Sequence, residues 1–268
     1  MQFRQKALAK LQSPEELDVP VRFARPQGWL VLTVTVVVMA VAGFWAVTGS
    51  VSPKLSAPGI LTHAEGSYVL QSPIAGQITA VFANEGDMLP SGARLLTVRT
   101  DQKVVTVRTV AAGRVTALVA KIGAVVTTGA DLATVERVDN ANDPLVAVLY
   151  ASAGGAPTVP VGSPVDLTVQ SVPAQRFGVL RGRVLAVGRV PETRQQITSF
   201  LGDSQLGDQF SAQGQPVAVM VQLDRSTGTK SGYAWSSASG PPYAIDSTTL
   251  VDGAIHLAAQ RPIDWLLP

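Results

Sequence analysis

A chain of 268 residues has room for two modest domains and an anchor. Its formal net charge of only +2, with no basic stripe interleaved with aromatic residues, argues against nucleic-acid binding. The chain has no cysteine, which excludes disulfides and thiolate metal sites, and its 24 glycines and 18 prolines favour many short β-strands joined by tight turns.

The first predicted element is a transmembrane helix over residues 28–49, where no charged residue occurs. About 20 apolar residues in a helix span the ~30 Å hydrocarbon core of a bilayer. Trp29 and Trp45 lie near the two ends of this segment, where indole rings favour the membrane interface. Residues 1–27 contain more basic than acidic side chains. They are therefore predicted to be a cytoplasmic tail, with the rest of the chain outside the cytoplasmic (inner) membrane.

Two other interpretations of this segment compete with a transmembrane anchor. A buried core helix is disfavoured, because soluble cores rarely contain so long a run without a charge. A cleaved signal peptide is indicated by Ala40-Val41-Ala42, which is similar to a processing site. However, apolar Phe44, Trp45 and Val47 continue beyond it, which favours an uncleaved single-pass anchor.

An internal repeat follows, with residues 72–98 aligned without a gap to residues 109–135. Gly86 and Gly123 are placed where a turn needs a positive φ. Neither half can bury its apolar face alone, so the repeat predicts a small sandwich of two related halves within a domain of residues 50–142. The identical pairs are Ala75/Ala112, Gly76/Gly113, Thr79/Thr116, Ala80/Ala117, Ala83/Ala120, Gly86/Gly123, Gly92/Gly129, Ala93/Ala130, Leu95/Leu132, Thr97/Thr134 and Val98/Val135.

This pattern resembles the lipoyl/biotinyl fold, whose two halves are related by a quasi-twofold axis. The resemblance is carried by Pro73-Ile74-Ala75-Gly76-Gln77-Ile78, Gly86-Asp87-Met88-Leu89 and Gly92-Ala93-Arg94-Leu95. In carrier domains of this fold, an Asp-Lys hairpin between the halves bears the modified lysine. Here the corresponding stretch is Asp101-Gln102-Lys103, with one residue inserted. The resemblance thus leaves two interpretations of Lys103, a modified carrier lysine or a solvated turn lysine, and the predicted location outside the cytoplasm favours the second.

The remaining chain is predicted to be β-rich, with a barrel over residues 143–225 and a membrane-proximal β-segment over residues 226–268. The polar stretch 192–210 predicts a surface insertion or a short helix. Residues 245–260 are expected to return and complete a sheet or barrel.

The order of these parts resembles the membrane-fusion or periplasmic adaptor (HlyD-like) family. The C-terminal segments are similar to a narrower branch that accompanies peptidase-containing ABC exporters in clusters for bacteriocins with nitrile-hydratase-like leaders. The resemblance implies an ABC transporter, an exported peptide, the lipid bilayer and further copies of the chain (a homo-oligomer such as a hexamer) as partners. The match to the family is carried by segments 144–150, 161–165 and 178–184, and the match to the branch by segments 253–255 and 261–268.

One feature departs from this family. Many adaptors carry a long helical hairpin between the lipoyl halves, whereas only residues 99–108 separate the halves here. Docking of an outer-membrane channel through such a hairpin is therefore not expected, and a short ring or sleeve above the transporter is.

No catalytic, metal or cofactor site is predicted. His63 and His256 are far apart in sequence, and Asp203 and Asp208 are interpreted as solvated loop residues. The functional residues that the sequence predicts lie at protein and membrane interfaces. The aromatic residues of the C-terminal segment fit either a protein interface or the core of the domain. Besides the adaptor, a carrier modified on Lys103 and an envelope ligand-binding or structural module remain as alternatives. The candidate interface residues are Trp29, Trp45, Asp101, Gln102, Lys103, Tyr233, Trp235 and Tyr243.

Overall fold

The computed structural model describes residues 26–140 and 143–261. One unit contains the N-terminal helix and a second unit spans Ser52–Ala258. In chain order the elements are α1 (Pro26–Thr48), β1 (Lys54–Thr62), β2 (Ser67–Gln71), β3 (Gly76–Val81), β4 (Met88–Leu89), β5 (Arg94–Arg99), β6 (Val104–Arg108), β7 (Gly113–Leu118), β8 (Val125–Val126), β9 (Asp131–Arg137), β10 (Val146–Ala151), a 3-10 turn (Ala156–Thr158), β11 (Pro164–Val169), α2 (Ala174–Phe177), β12 (Leu180–Val187), α3 (Arg194–Leu201), α4 (Ser204–Ser211), β13 (Val217–Leu223) and β14 (Leu250–His256).

The predicted anchor is a continuous helix in the structure. Its segment Gly28–Thr48 is long and apolar enough to cross a membrane, with 21 residues and a mean hydropathy of 2.5. At 1.5 Å per residue this is roughly 31 Å, close to the thickness of a hydrocarbon core. The hydroxyls of Thr33 and Thr35 donate to the backbone carbonyls of Trp29 and Val31, so these polar groups need no water. The helix therefore fits a membrane anchor in length and in polar satisfaction.

The repeat folds as the predicted sandwich of two four-stranded sheets, ordered β2-β9-β7-β4 and β6-β5-β3-β8. Every strand of one sheet has its equivalent in the other at the repeat offset of 37 residues. The structural repeat thus begins at Ser67, five residues before the repeat that identical residues reveal. The equivalents Ile78 and Val115 are both buried between the sheets, as are Leu95 and Leu132.

The glycine prediction is confirmed, because Gly86 and Gly123 have φ values of +92° and +90°. Both sit in the turns before the two short strands β4 and β8. An L-residue rarely adopts this conformation, which explains why both halves have glycine there.

Six strands of the described chain form a closed antiparallel barrel in the order β1-β10-β13-β12-β11-β14. Its interior is filled by small and branched side chains, as a six-stranded barrel requires. Members of this core include Leu61, Leu149, Leu167, Val221 and Ile255.

Two barrel strands come from outside the range 143–225 in which the barrel was predicted. Strand β1 precedes the sandwich in sequence, and β14 lies in the predicted terminal segment. These two strands pair with each other from Lys54↔His256 to Ile60↔Leu250. The sandwich is therefore an insertion between the first and second barrel strands. The predicted division into consecutive domains 50–142, 143–225 and 226–268 does not describe this insertion. The expectation that residues 245–260 complete a barrel is confirmed by β14.

The polar stretch 192–210 folds as the two short helices α3 and α4, where one short helix or an insertion was expected. Thr193 caps α3, and a capping box joins it to Gln196. The apolar faces of the helices cover the outside of the barrel, so β10 is buried on both faces. On this outer layer Ile197 and Phe210 pack with Val148, whereas Leu149 faces the barrel interior.

Helix α3 also contacts the sandwich. A Cβ atom placed on Gly66 would lie 2.7 Å from the ring of Phe200, and the Thr134 hydroxyl donates to the carbonyl of Gly202 at 3.4 Å. Helix α3 therefore packs on the barrel and on the sandwich together.

Candidate functional site

The turn that joins the two halves of the sandwich carries three of the predicted interface residues. Strands β5 and β6 pair up to Arg99↔Val104, which leaves a tight turn of residues 100–103. The Thr100 hydroxyl accepts hydrogen bonds from the backbone N–H of Gln102 at 3.3 Å and of Lys103 at 3.1 Å. The side chains of Asp101, Gln102 and Lys103 are all exposed. They are presented to solvent in a fixed turn, and their contact with a partner stays a prediction.

The predicted aromatic residues divide between core and surface. Trp235 is 8% exposed, packs in the barrel core and donates its indole N–H to the Ser231 hydroxyl at 3.0 Å. Tyr233 packs against the same core, and its hydroxyl accepts the backbone N–H of Leu145 at 3.0 Å. Of the two interpretations of Trp235, interface or core, the structure favours the core.

Tyr243, in contrast, is 43% exposed. Its ring contacts Phe177 edge-on, with the centroids 6.5 Å apart, and its hydroxyl donates to the carbonyl of Ser171 at 3.4 Å. On the separate helix α1, Trp29 and Trp45 are 67% and 58% exposed. These three rings remain accessible to a partner or to lipid.

A buried carboxylate that the sequence did not predict joins the sandwich to the barrel. Glu136 of strand β9 has no exposed surface. Its Oε1 atom accepts hydrogen bonds from the Thr62 hydroxyl and the His63 backbone N–H, both at 3.0 Å. Its Oε2 atom accepts one from the Ser247 hydroxyl at 2.5 Å. All three donors belong to the barrel segments around β1 and β14.

The environment keeps Glu136 ionised. Burial would raise the pKa of this carboxyl, but hydrogen bonds from His63 and Ser247 and the charge of His63 outweigh burial and lower the pKa. The His63 Nδ1 atom lies 2.9 Å from Glu136 Oε1, at ion-pair distance but without hydrogen-bond alignment. A protonated His63 therefore gains an ion pair with the carboxylate.

An open cavity of about 420 Å³ lies beside this carboxylate, between the sandwich and the loops at one end of the barrel. His63 and Ser247 form part of its wall, together with Arg114 and Arg225. Arg114 pairs in register with Glu136 on the neighbouring strand, and its buried Nε atom has no hydrogen-bond partner. The junction thus combines the Glu136 carboxylate, both of whose oxygens accept hydrogen bonds, with the Arg114 guanidinium, whose Nε atom lacks a hydrogen-bond partner.

The junction does not have the connectivity of a catalytic triad. In a triad the histidine lies between the hydroxyl and the carboxylate and takes the proton of the nucleophile. Here Ser247 and His63 both approach the carboxylate of Glu136 directly. Ser247 donates its proton to the carboxylate, so the arrangement orients groups and joins domains.

The remaining polar candidates have structural partners. The His256 Nε2 atom lies 2.8 Å from Asp166, which also contacts Lys54 at 3.4 Å and Arg181. Asp203 and Asp208 were expected in a solvated loop; Asp203 is the extended N-cap residue of α4, and Asp208 lies within α4 and pairs with Arg194. Residues 26–140 and 143–261 contain no group of three or more His, Cys, Asp or Glu side chains placed to hold a metal.

Comparisons with known proteins agree with this architecture. The family model described as biotin-requiring enzyme matches residues 68–135, which is the sandwich. Comparison with curated protein sequences gives no match.

Several solved structures are similar to this chain at low sequence identity. ZneB from Cupriavidus metallidurans is 12% identical and has a TM-score of 0.50, and the match covers 78% of this chain and all of ZneB (100%). MacA from Actinobacillus actinomycetemcomitans is 10% identical and has a TM-score of 0.52, and the match covers 80% of this chain and 81% of MacA. The membrane fusion protein Spr0693 from Streptococcus pneumoniae R6 is 11% identical with a TM-score of 0.44, covering 76% and 99% of the two chains.

The helix, the sandwich and the barrel occur in one chain, and the sandwich is inserted after the first barrel strand. The fold of the described residues is therefore that of membrane-fusion, or periplasmic adaptor, proteins.

Proposed function

We propose that this chain is the membrane-anchored, non-enzymatic adaptor subunit of an ABC-type exporter. The observation that carries the proposal is the combination of one apolar helix with an inserted lipoyl-like sandwich and a closed barrel. Similarity in fold to MacA and ZneB supports the adaptor role. The ABC class of the transporter, a peptide cargo and an association with bacteriocin clusters come from the sequence resemblance alone.

The short turn between the sandwich halves limits how such an adaptor works. The chain passes from β5 to β6 through residues 100–103, so no coiled coil extends from this point. We infer that copies of the chain form a short sleeve around the exit of the transporter, a homo-oligomer such as a hexamer. The exposed side chains of Asp101, Gln102 and Lys103 then lie at the end of each sandwich.

The partner is tested by purifying the tagged full-length protein from its native membrane after mild crosslinking and identifying the proteins recovered. An ABC transporter in fixed ratio is the expected result, and an N-terminal peptidase domain on it supports a peptide cargo. An unrelated single-pass protein with the same tag is the control. Recovery of the chain alone contradicts the adaptor role and favours an envelope binding or structural module.

The orientation is tested by cysteine labelling, because the natural chain has no cysteine. We expect a membrane-impermeant maleimide to label Asp101→Cys in intact spheroplasts, since this residue lies in the exposed turn. Gln5→Cys in the predicted cytoplasmic tail should react only after lysis. The reverse pattern contradicts the predicted orientation.

A second candidate function rests on the exposed position of Lys103 in the turn between the halves, where carrier domains bear their modified lysine. The mass of the intact protein from its native host separates the two functions. The unmodified mass is expected. A mass increase that Lys103→Arg removes supports the carrier.

A further inference from the structure

A second open cavity, of about 240 Å³, lies between the outer face of the barrel and helix α3. Its walls are mostly apolar and include Val148, Val187, Phe200 and Met220. Strand β12 is irregular beside it, because its register with β13 shifts between Val184 and Ala186. Such bulges commonly lie next to binding sites, where they redirect a strand and open space. This cavity is separate from the one beside Glu136.

One wall of this cavity contains a buried hydroxyl without a partner. Tyr150 is 3% exposed and its ring stacks on Phe210, with the centroids 4.6 Å apart. Its hydroxyl has no hydrogen-bond partner among the described residues. Buried hydroxyls are normally bonded, and a tyrosine packed this firmly has little freedom to turn its hydroxyl elsewhere. A polar ligand in the cavity would supply the hydrogen bond that this hydroxyl lacks.

The second polar group of the cavity is the carboxyl of Glu192. Glu192 is half-buried, and this burial raises the pKa of its carboxyl. Among the described residues no basic side chain forms an ion pair with it, and no hydrogen bond to its carboxyl oxygens is made. Both groups line the cavity, and burial together with the negative charge of Glu192 raises the pKa of Tyr150.

We propose that this cavity binds a small organic cation, an ammonium group on an apolar stem. The ammonium would donate to the Glu192 carboxylate and to the Tyr150 hydroxyl oxygen, and the stem would lie against Phe200 and Met220. An organic anion is disfavoured because it would meet the Glu192 charge. A neutral apolar molecule would remove water from the carboxylate without replacing its hydrogen bonds.

The test measures binding of phenethylamine, phenylethanol and phenylacetate to the full-length protein in phosphatidylcholine nanodiscs by isothermal titration calorimetry. These probes share a ring and a short stem but are cationic, neutral and anionic. Phenethylamine should bind more tightly than both others. Empty nanodiscs measure partition into lipid and are subtracted.

Three variants locate the site. A charge-assisted hydrogen bond accounts for about a tenfold change in affinity or more, so Glu192→Gln should weaken phenethylamine binding by at least about tenfold. Tyr150→Phe keeps the stacked ring and should weaken binding severalfold. Asp252→Asn removes a negative charge from an exposed position of β14 that does not line the cavity and is the matched control, with unchanged affinity expected.

Thermal unfolding distinguishes a lost site from a lost fold. Glu192→Gln should unfold at the same temperature as the natural protein or higher, because a poorly solvated carboxylate is removed. Equal binding of all three probes, or phenethylamine binding that Glu192→Gln leaves unchanged, overturns the proposal. Absence of phenethylamine binding to the natural protein overturns it as well.

Discussion

Substitution of Glu136 tests whether its carboxylate holds the sandwich to the barrel. Glu136→Ala leaves three donors without an acceptor, namely the Thr62 hydroxyl, the His63 backbone N–H and the Ser247 hydroxyl. An unsatisfied buried polar group costs about 1 to 3 kcal/mol, and breaking a buried charged network costs about 3 to 5 kcal/mol in total. We therefore expect Glu136→Ala to lower the free energy of unfolding by about 3 to 5 kcal/mol.

Glu136→Gln is a milder change, because the amide oxygen can still accept from Thr62 and His63. Its NH₂ group must then donate to Ser247, whose own proton needs a new acceptor. Hydrogen bonds to a charged group are stronger than neutral ones by about 1 kcal/mol each, so a loss of about 1 to 2 kcal/mol is expected. The two variants thus separate the charge from the shape of the side chain.

The pH dependence has a defined sign. The pKa of Glu136 is lower in the folded protein than its ordinary value of 4.5, so ionisation of this group stabilises the folded state above that pH. This stabilisation is lost as the pH falls below 4.5 and through the lowered pKa of the folded state. Glu136→Gln cannot titrate, so the stability difference between it and the natural protein should shrink as the pH falls.

Urea unfolding of the full-length protein in mild detergent, followed by circular dichroism, measures both effects. Arg99 is the matched control, because it occupies the equivalent position of the other half and is exposed. Arg99→Ala should change the free energy of unfolding by about 0.5 kcal/mol or less. An equal decrease in the free energy of unfolding for Glu136→Ala and Arg99→Ala would refute the conclusion that the Glu136 carboxylate holds the sandwich to the barrel.

Three further substitutions test other parts of the fold by the same urea unfolding. Asp166→Asn should cost about 1 to 2 kcal/mol, because it weakens the bonds to His256 and two basic side chains, and the cost should fall below pH 3.8 since the pKa of Asp166 is lowered. Gly113→Ala should cost about 2 kcal/mol or more, because its Cβ would collide with the backbone carbonyl of Glu136, whereas a stable variant would contradict the close strand packing. Thr193→Ala should cost about 1 kcal/mol through loss of the α3 cap, and no change would contradict the capping box.

The sandwich could be predicted from sequence because its halves repeat. Identical residues such as Gly76 and Gly113 define the offset, and each half then constrains the interpretation of the other. Strands β2 and β6 belong to the repeat as well, at Ser67–Gln71 and Val104–Arg108. Identical residues do not reveal these two strands, because their sequences differ, although both pair with the equivalent strand of their own sheet.

The junction at Glu136 and the closure of the barrel could not be predicted, because both depend on contacts between residues that are distant in sequence. Glu136 lies 74 residues from Thr62 and 111 residues from Ser247. Nothing in the segment Asp131–Arg137 distinguishes Glu136 from a surface residue, since a charged side chain near the end of a strand is ordinarily exposed. Its burial results from the barrel loops that cover this end of β9.

The equivalent positions Arg99 and Glu136 show how the two halves have diverged. Arg99 ends strand β5 at the exposed turn, where its guanidinium donates to Gln77 at 3.1 Å. Glu136 stands at the same place in β9, but there the chain continues into the barrel instead of into a turn. A symmetric sandwich needs neither side chain for its core, since both lie outside the packed layer between the sheets. The two positions therefore differ because only one end of the sandwich is attached to the barrel. The end at Arg99 is exposed. The end at Glu136 is fixed by a carboxylate that accepts all three of its hydrogen bonds from residues of the barrel segments.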